Sequence, residues 1–318
     1  MSASIAGSLR FVQQRSILVL VALLVALAAL IEVIRPGAVN ANWVSNILEF
    51  AAPLGILAAG QTLVVITGGI DLSVANVATA AAYIMASQAP YGPTRAIVLG
   101  LLVGLAVGFV NGLGVALFKV QPLIMTLAMG LVVTGSLNVY GQFARGVPSV
   151  PAVVHELGSG TVLGYVPVSL FLWSAIAAAL VLGLRGTGFG RLLYALGDNL
   201  EATRLAGVHA WQVLLTTYML CGLFSAVAGI VLAGTVNAAD LGLATVLLLP
   251  SVAAVVIGGT SIFGGSGSYS GTIVGALILT VLNSVLTLLD VPDPVKQVLY
   301  GAIIILLAAA YTRVLGRD

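Results

Sequence analysis

Reactive and charged chemistry is scarce in this chain. It holds one cysteine, Cys221, and two histidines, His155 and His209. A lone thiol excludes an internal disulfide and any cysteine-based zinc cluster. Cys221 lies in the apolar run YMLCGLFSAVAG, where a small buried hydrophobe is expected. The histidines fall in separate polar connections on opposite sides of the expected membrane, so no metal site is expected. Only 7% of the residues are charged, whereas a soluble domain carries about 25%. Twelve basic residues spread over 318 form no patch, which leaves nucleic acid out as a partner. No G-x-S-x-G, H-E-x-x-H or C-x-x-C occurs, and no span offers a paired acid, base and nucleophile; an enzyme is not expected. A phosphate loop of the G-x-x-x-x-G-K-[ST] type is missing too, since Lys119 follows Phe118 and Lys296 follows Val295. If the protein's work consumes ATP, another subunit must bind the nucleotide and its Mg²⁺, and no cofactor is expected in this chain.

What the chain has instead is hydrocarbon: 60% hydrophobic residues and a mean hydropathy of +1.17. Crossing about 30 Å of lipid takes about twenty apolar residues. Ten segments qualify, roughly 16–34, 46–67, 71–88, 95–118, 122–142, 167–184, 213–236, 243–263, 269–289 and 295–314. The expected fold is an all-α integral membrane protein, one domain over residues 1–318, in contact with membrane lipid. The basic N-terminus ahead of the first run resembles a signal peptide, but the run is long enough to span and is read as an uncleaved first helix.

Charge placement orients the bundle, because cytoplasmic connections are richer in Lys and Arg. With the N-terminus inside, the inner connections hold Arg10, Arg15, Lys119, Arg185, Arg191, Arg204, Arg313 and Arg317. The outer ones hold Arg35, Arg95, Arg145 and Lys296, while Glu32, Glu156, Asp240, Asp290 and Asp293 also lean outward. Both termini are therefore expected in the cytoplasm. A longer outer connection, about 143–166, is expected to form a small cap, and an inner one, about 185–212, a short helix outside the bilayer.

Two glycine pairs interrupt the apolar runs, near 68–71 and 258–267. In GQTLVVITGGIDLSV, residues 60–74, Gly68 and Gly69 let the backbone leave helical geometry, and Asp71 fits the N-cap of the next helix. A broken helix survives in a membrane only inside protein or beside water. The break therefore either caps a helix or lines a route, and both readings stand. Gln61, Thr62 and Asn111, with Asn138 and Asn283, pair helices or line a polar path. VVIGG at 255–259, ending in Gly258 and Gly259, echoes VVITGG at 64–69 and suggests a second interruption. The aromatics Trp43, Tyr83, Tyr140, Trp173 and Tyr300 serve as membrane-interface anchors or as stacking surfaces.

The inner segment GRLLYALGDNLEATRLAGV carries a complete set of helix signals. Asp198 or Asn199 is a natural N-cap, Glu201 sits in the first turn, Arg204 near the last, and Gly207 stops the helix. Leu200, Ala202, Leu205 and Ala206 offer apolar contact. A helix of about two turns is marginal alone and needs a surface to dock on.

EATRLAG at 201–207 resembles the E-A-A-x-x-x-G coupling motif of ATP-binding-cassette (ABC) importer permeases, with Thr203 in place of the second alanine. YALGDNLEATRLAGV is similar to the form of that loop in the permeases for ribose, xylose and arabinose. GQTLVVITGGIDLSV, NGLGVALFKVQPLIMTLAMG at 111–130 and AAVVIGGTSIFGGSGSYSGTIVGALIL at 253–279 resemble other blocks of that family, in the same order. The resemblance implies a permease in the bacterial inner membrane, paired with a second permease copy or paralogue. It further implies a cytoplasmic ABC ATPase docked on the loop of Asp198, Asn199, Glu201, Ala202, Arg204 and Gly207, and an extracytoplasmic sugar-binding protein that delivers the solute. Asp198 stands where the family usually has Gly, and Leu200 where it has Pro, so the coupling helix is expected intact and begun one residue early. Gln121 stands where the family often has Pro, which leaves Pro122 to start the fifth span.

The implied function is import of a monosaccharide or related polyol. The same architecture also serves a sugar-like signal, a nucleoside or a vitamin. An ion-coupled transporter acting alone would need a relay of ionisable groups in the membrane, and only Asp71 and Glu49 are candidates.

Overall fold

The computed structural model describes residues 16–143 and 148–315. The first half comprises α1 (Ser16–Ile34), α2 (Ala41–Ile66), α3 (Val74–Gln88), α4 (Pro93–Ala116) and α5 (Pro122–Phe143). A small cap follows, made of α6 (Ala152–Ser159) and an antiparallel hairpin of β1 (Thr161–Val162) and β2 (Val166–Pro167), with Val162 paired to Val166. The second half comprises α7 (Val168–Gly186), α8 (Gly188–Asp198), α9 (Leu200–Leu205), α10 (Ala210–Val236), α11 (Leu248–Ile257), α12 (Tyr269–Leu288) and α13 (Asp293–Leu315). Arg10, Arg15, Arg145 and Arg317, counted above for sidedness, lie outside the described residues.

All ten expected segments coincide with helices, and the all-α membrane architecture holds. Among the described residues seven helices, α1, α2, α4, α5, α7, α10 and α12, are long and apolar enough to cross a membrane. Helices α3, with 15 residues, and α11, with 10, are shorter than the expected segments. Both adjoin the glycine breaks, and the residues missing from them form the turns. Local signals set the other ends. Asn40 caps α2 by accepting from the amide of Trp43 at 3.0 Å. Pro93 and Pro122 open α4 and α5 at the position where a missing N–H costs nothing.

Helix α2 is the axis of the bundle: 89% of its apolar window is buried, against 6% for α1. Helix α10 lies across α2, α3 and α4. It approaches α4 through small residues, so that a Cβ on Gly104 would strike the carbonyl of Gly222, and one on Gly222 the carbonyl of Gly104. Small residues allow such backbone approach, which is how helices attract in a solvent as apolar as themselves. Cys221 is fully buried on the same helix, against Gly60 of α2.

Three aromatics read as anchors or stacking surfaces, Trp173, Tyr83 and Tyr300, are core instead. Trp173 is buried and donates to the hydroxyl of Tyr269 at 2.9 Å, which donates in turn to the carbonyl of Gly55 at 2.8 Å. Tyr83 is buried and meets Tyr140 edge-on, with ring centres 6.4 Å apart. The periodicity of an apolar span gives no sign of which face turns inward, and these rings turn inward.

Candidate functional site

The segment between α7 and α10 folds as two helices rather than one. Thr187 caps α8 by accepting from Gly190 N at 3.2 Å. Gly190, Leu193 and Leu196 supply its buried face. Asn199 then caps α9, its Oδ1 accepting from Ala202 N at 2.9 Å. Of the two expected caps Asn199 is the one used. Asp198 is the last residue of α8, so α9 does not begin one residue early. The chain must extend at Asn199 (φ −154°, ψ 101°) to leave one helix and enter the next. Glu201 lies in the first turn of α9, Arg204 in its last, and Gly207 follows at φ +83°. Only Thr203 is buried among residues 200–207, and its hydroxyl reaches the carbonyls of Ala195 at 2.9 Å and Asn199 at 2.8 Å. That bond ties α9 to α8 and leaves Leu200, Ala202, Leu205 and Ala206 exposed.

Both glycine breaks end their helices by one geometry. Gly68 (φ +80°) donates to Val65 O at 2.9 Å and Gly69 to Val64 O at 3.2 Å. In the second break Gly259 (φ +85°) donates to Val256 O at 3.0 Å and Thr260 to Val255 O at 3.1 Å. Each is the paired carbonyl cap that a left-handed glycine permits. The sequence echo therefore marks a repeated local structure. Gly258 plays another part: a Cβ there would lie 2.5 Å from the backbone of Gly271 and Thr272, where α11 crosses α12.

These two breaks and the end of α8 form one junction. Gly265 N donates to Ile66 O at 3.0 Å. A Cβ on Gly197 would collide with that same Ile66 oxygen, and one on Gly265 would stand 3.0 Å from the Cα of Asp198. The hydroxyl of Tyr194, on α8, donates to Gly267 O at 2.8 Å. Burial raises the Tyr194 phenol pKa above its ordinary value, with Arg185 working the other way, so this donor keeps its proton at neutral pH. Three stretches remote in sequence thus share one patch of backbone. Both breaks lie at the end of the bundle that carries α8 and α9.

Asp71 is buried at this end but is not a helix N-cap. Its Oδ1 accepts from Ser73 N at 2.8 Å and from Ser73 Oγ at 2.6 Å, while Ser73 holds the cap position ahead of α3. After Gly68 ends α2, the chain needs residues 69–73 to reverse, which puts Asp71 in the turn. Asn111 Nδ2 donates to Ser73 Oγ at 3.0 Å, and Thr126 Oγ1 accepts from Leu72 N at 3.0 Å, so α4 and α5 both clamp the turn. Thr62 bonds across to Thr272 of α12 at 2.9 Å. Gln61 is fully buried and neither polar atom of its side chain has a hydrogen-bond partner among the described residues.

Sequence reasoning missed a groove at the opposite end. Its deepest part is a cavity of about 350 Å³ walled by residues of α2, α10, α11, α12 and α13. One neighbouring cavity shares Phe50, Thr280 and Asn283 with it, and a further one adjoins that neighbour at Arg35, Trp43, Ser284 and Leu288. Asp293 and Lys296, read above only as outer charges, pair at 3.0 Å, and Lys296 Nζ also donates to Thr287 Oγ1 at 3.0 Å. The i,i+3 spacing of that pair at the start of an apolar run was the available signal.

A family model described as the branched-chain amino acid transport system permease component matches residues 43–308. The chain is 37% identical over 294 residues to a ribose import permease of Escherichia coli K12, an alignment spanning 91% of each chain. It is 32% identical to a fructose import permease of Rhizobium meliloti, over 91% of this chain and 83% of that one. An autoinducer 2 import system permease of Escherichia coli O157:H7 is 34% identical, over 84% and 79%. No solved structure matches the chain.

Proposed function

The chain belongs to the family of branched-chain amino acid transport system permease components, and on that premise we propose that it is the transmembrane permease subunit of an ABC importer that moves a monosaccharide or related polyol into the cytoplasm. A separate ATPase binds ATP and Mg²⁺ and hydrolyses the nucleotide. An extracytoplasmic binding protein delivers the solute, and a second permease copy or paralogue completes the membrane assembly. The α8–α9 end faces the cytoplasm in this reading, as do both termini.

The observation that carries it is the junction. A short helix with an exposed apolar face, Leu200, Ala202, Leu205 and Ala206, needs a partner surface. It is bonded through Thr203 to a helix whose last turn touches both helix breaks. A force applied at α9 reaches the end of α2 by backbone contact at Gly197 and reaches the α11–α12 loop through Gly265 and Gly267. The ribose and fructose permeases among its relatives support a sugar as cargo. The autoinducer 2 relative supports a second reading, in which the cargo is a sugar-like signal.

The test is reconstitution of the chain with its ATPase and binding protein in lipid vesicles. Labelled ribose or fructose should accumulate only with ATP. Glu201→Ala and Gly207→Val should leave assembly and ATP hydrolysis in place while uptake falls. Accumulation without nucleotide, or unchanged uptake in both variants, would remove the assignment.

A further inference from the structure

We propose that the cavity between α12 and α13, at the end remote from α8, is a binding station for a neutral, hydroxyl-rich ring on its way into the permease. The inference rests on the sugar-import reading above and names where in the chain the solute is first held.

Position comes first. Helix α12 starts at the junction with α8, and Thr280 and Asn283 lie well along it, so the cavity opens at the far end of the bundle. A solute delivered on the side opposite the ATPase meets this opening. Its volume, about 350 Å³, is at the lower end of the range of about 300–1,000 Å³ for small-molecule sites.

The lining suits one class of solute. Leu54, Leu232, Leu247 and Leu279 form an aliphatic wall, and the amides of Asn283 and Gln297 line the cavity beside two hydroxyls, that of Thr280, which donates to Ala276 O at 2.9 Å, and that of Tyr300, which donates to Asn283 Oδ1 at 3.5 Å. An amide both donates and accepts, and so does a hydroxyl, which matches the mixed donors and acceptors of a sugar's hydroxyl groups. The aliphatic wall would cover the C–H face of the ring. Asn283 and Gln297 are both exposed, so their amides are open to a solute.

Charge excludes the alternatives. An amino acid or a phosphorylated sugar needs an uncommitted cation for its carboxylate or phosphate. Lys296, the cation of this cavity, is 9% exposed and already holds both Asp293 and Thr287 at 3.0 Å. The pair closes on itself and adds no net charge to the cavity. A site that must also release its solute is best built from a few neutral hydrogen bonds.

The experiment uses the reconstituted complex with labelled ribose, fructose and leucine as probes. Asn283→Ala and Gln297→Ala should each lower uptake of the transported sugar about three- to tenfold, the loss expected of one neutral hydrogen bond. ATP hydrolysis stimulated by the loaded binding protein should stay at the unsubstituted level. Asn283→Ser, which keeps a donor and an acceptor, should recover part of the uptake. Normal sugar uptake in both alanine variants overturns the proposal while the function stands. So does loss of the second permease copy from the purified complex, which would make the cavity an interface. Leucine uptake that falls in these variants overturns the neutral class. A complex that carries neither sugar under ATP overturns the function and this proposal together.

Discussion

The amide of Gly265 donates to the carbonyl of Ile66 across 3.0 Å, joining the loop before α12 to the last residue of α2. Gly197 of α8 lies against the same carbonyl, and no side chain fits between them. The contact makes the ends of α2, α8 and the α11–α12 loop one body at the place where a partner's motion would enter. Packed interfaces of this kind switch between discrete arrangements rather than deform smoothly.

Gly197→Ala should therefore wedge the junction open. Overpacking of this type costs about 1–3 kcal/mol, so folded yield should fall moderately while sugar uptake per ATP hydrolysed falls further. Tyr194→Phe offers the milder version, since it removes only the bond to Gly267. It should leave yield near normal and lower the ratio of uptake to hydrolysis. A ratio equal to that of the unsubstituted chain in both variants would show that the junction transmits nothing.

Helix packing is testable apart from transport. Gly104 and Gly222 bring α4 and α10 into backbone contact, whereas Gly135 on α5 has open space where a Cβ would go. Gly104→Val should lower the melting temperature of the detergent-solubilised chain sharply. Gly135→Ala should leave it unchanged or raise it, because alanine favours helix by roughly 0.5–1 kcal/mol over glycine. Equal effects at the two sites would contradict the close approach.

Much of this is legible in the sequence. The ten apolar segments, the stop at Gly68 and the cap at Asn199 each follow from residues within one or two helical turns, where local chemistry decides. Asp71 accepts from Ser73 N as the sequence suggests but stands two residues before the cap position, because the length of the reversal after Gly68 depends on Asn111 and Thr126, which clamp it from two other helices. Helix α8 is not foreseen by the sequence reading, because its glycines, Gly188, Gly190 and Gly197, argue against a helix there and its buried face depends on packing. The junction could not be read at all, since Ile66, Gly197 and Gly265 are brought together only by tertiary packing. The cavity escaped for the same reason, its polar lining being split between α12 and α13.

The role of Asp71 can be decided by separating its charge from its hydrogen bonds. Among the described residues it forms no ion pair, and its Oδ1 serves Ser73 N and Ser73 Oγ. Asp71→Ala strands those donors in a buried turn, at a cost of about 1–3 kcal/mol for each unsatisfied group; the melting temperature and the folded yield should both drop. Asp71→Asn keeps an acceptor oxygen in place and removes a charge that has no cation to offset it. An unpaired charge is costly to bury, so this variant should melt at or above the unsubstituted chain and transport normally. If it melts normally but fails to transport, the carboxylate's charge acts in the route itself, and the turn is more than a structural reversal.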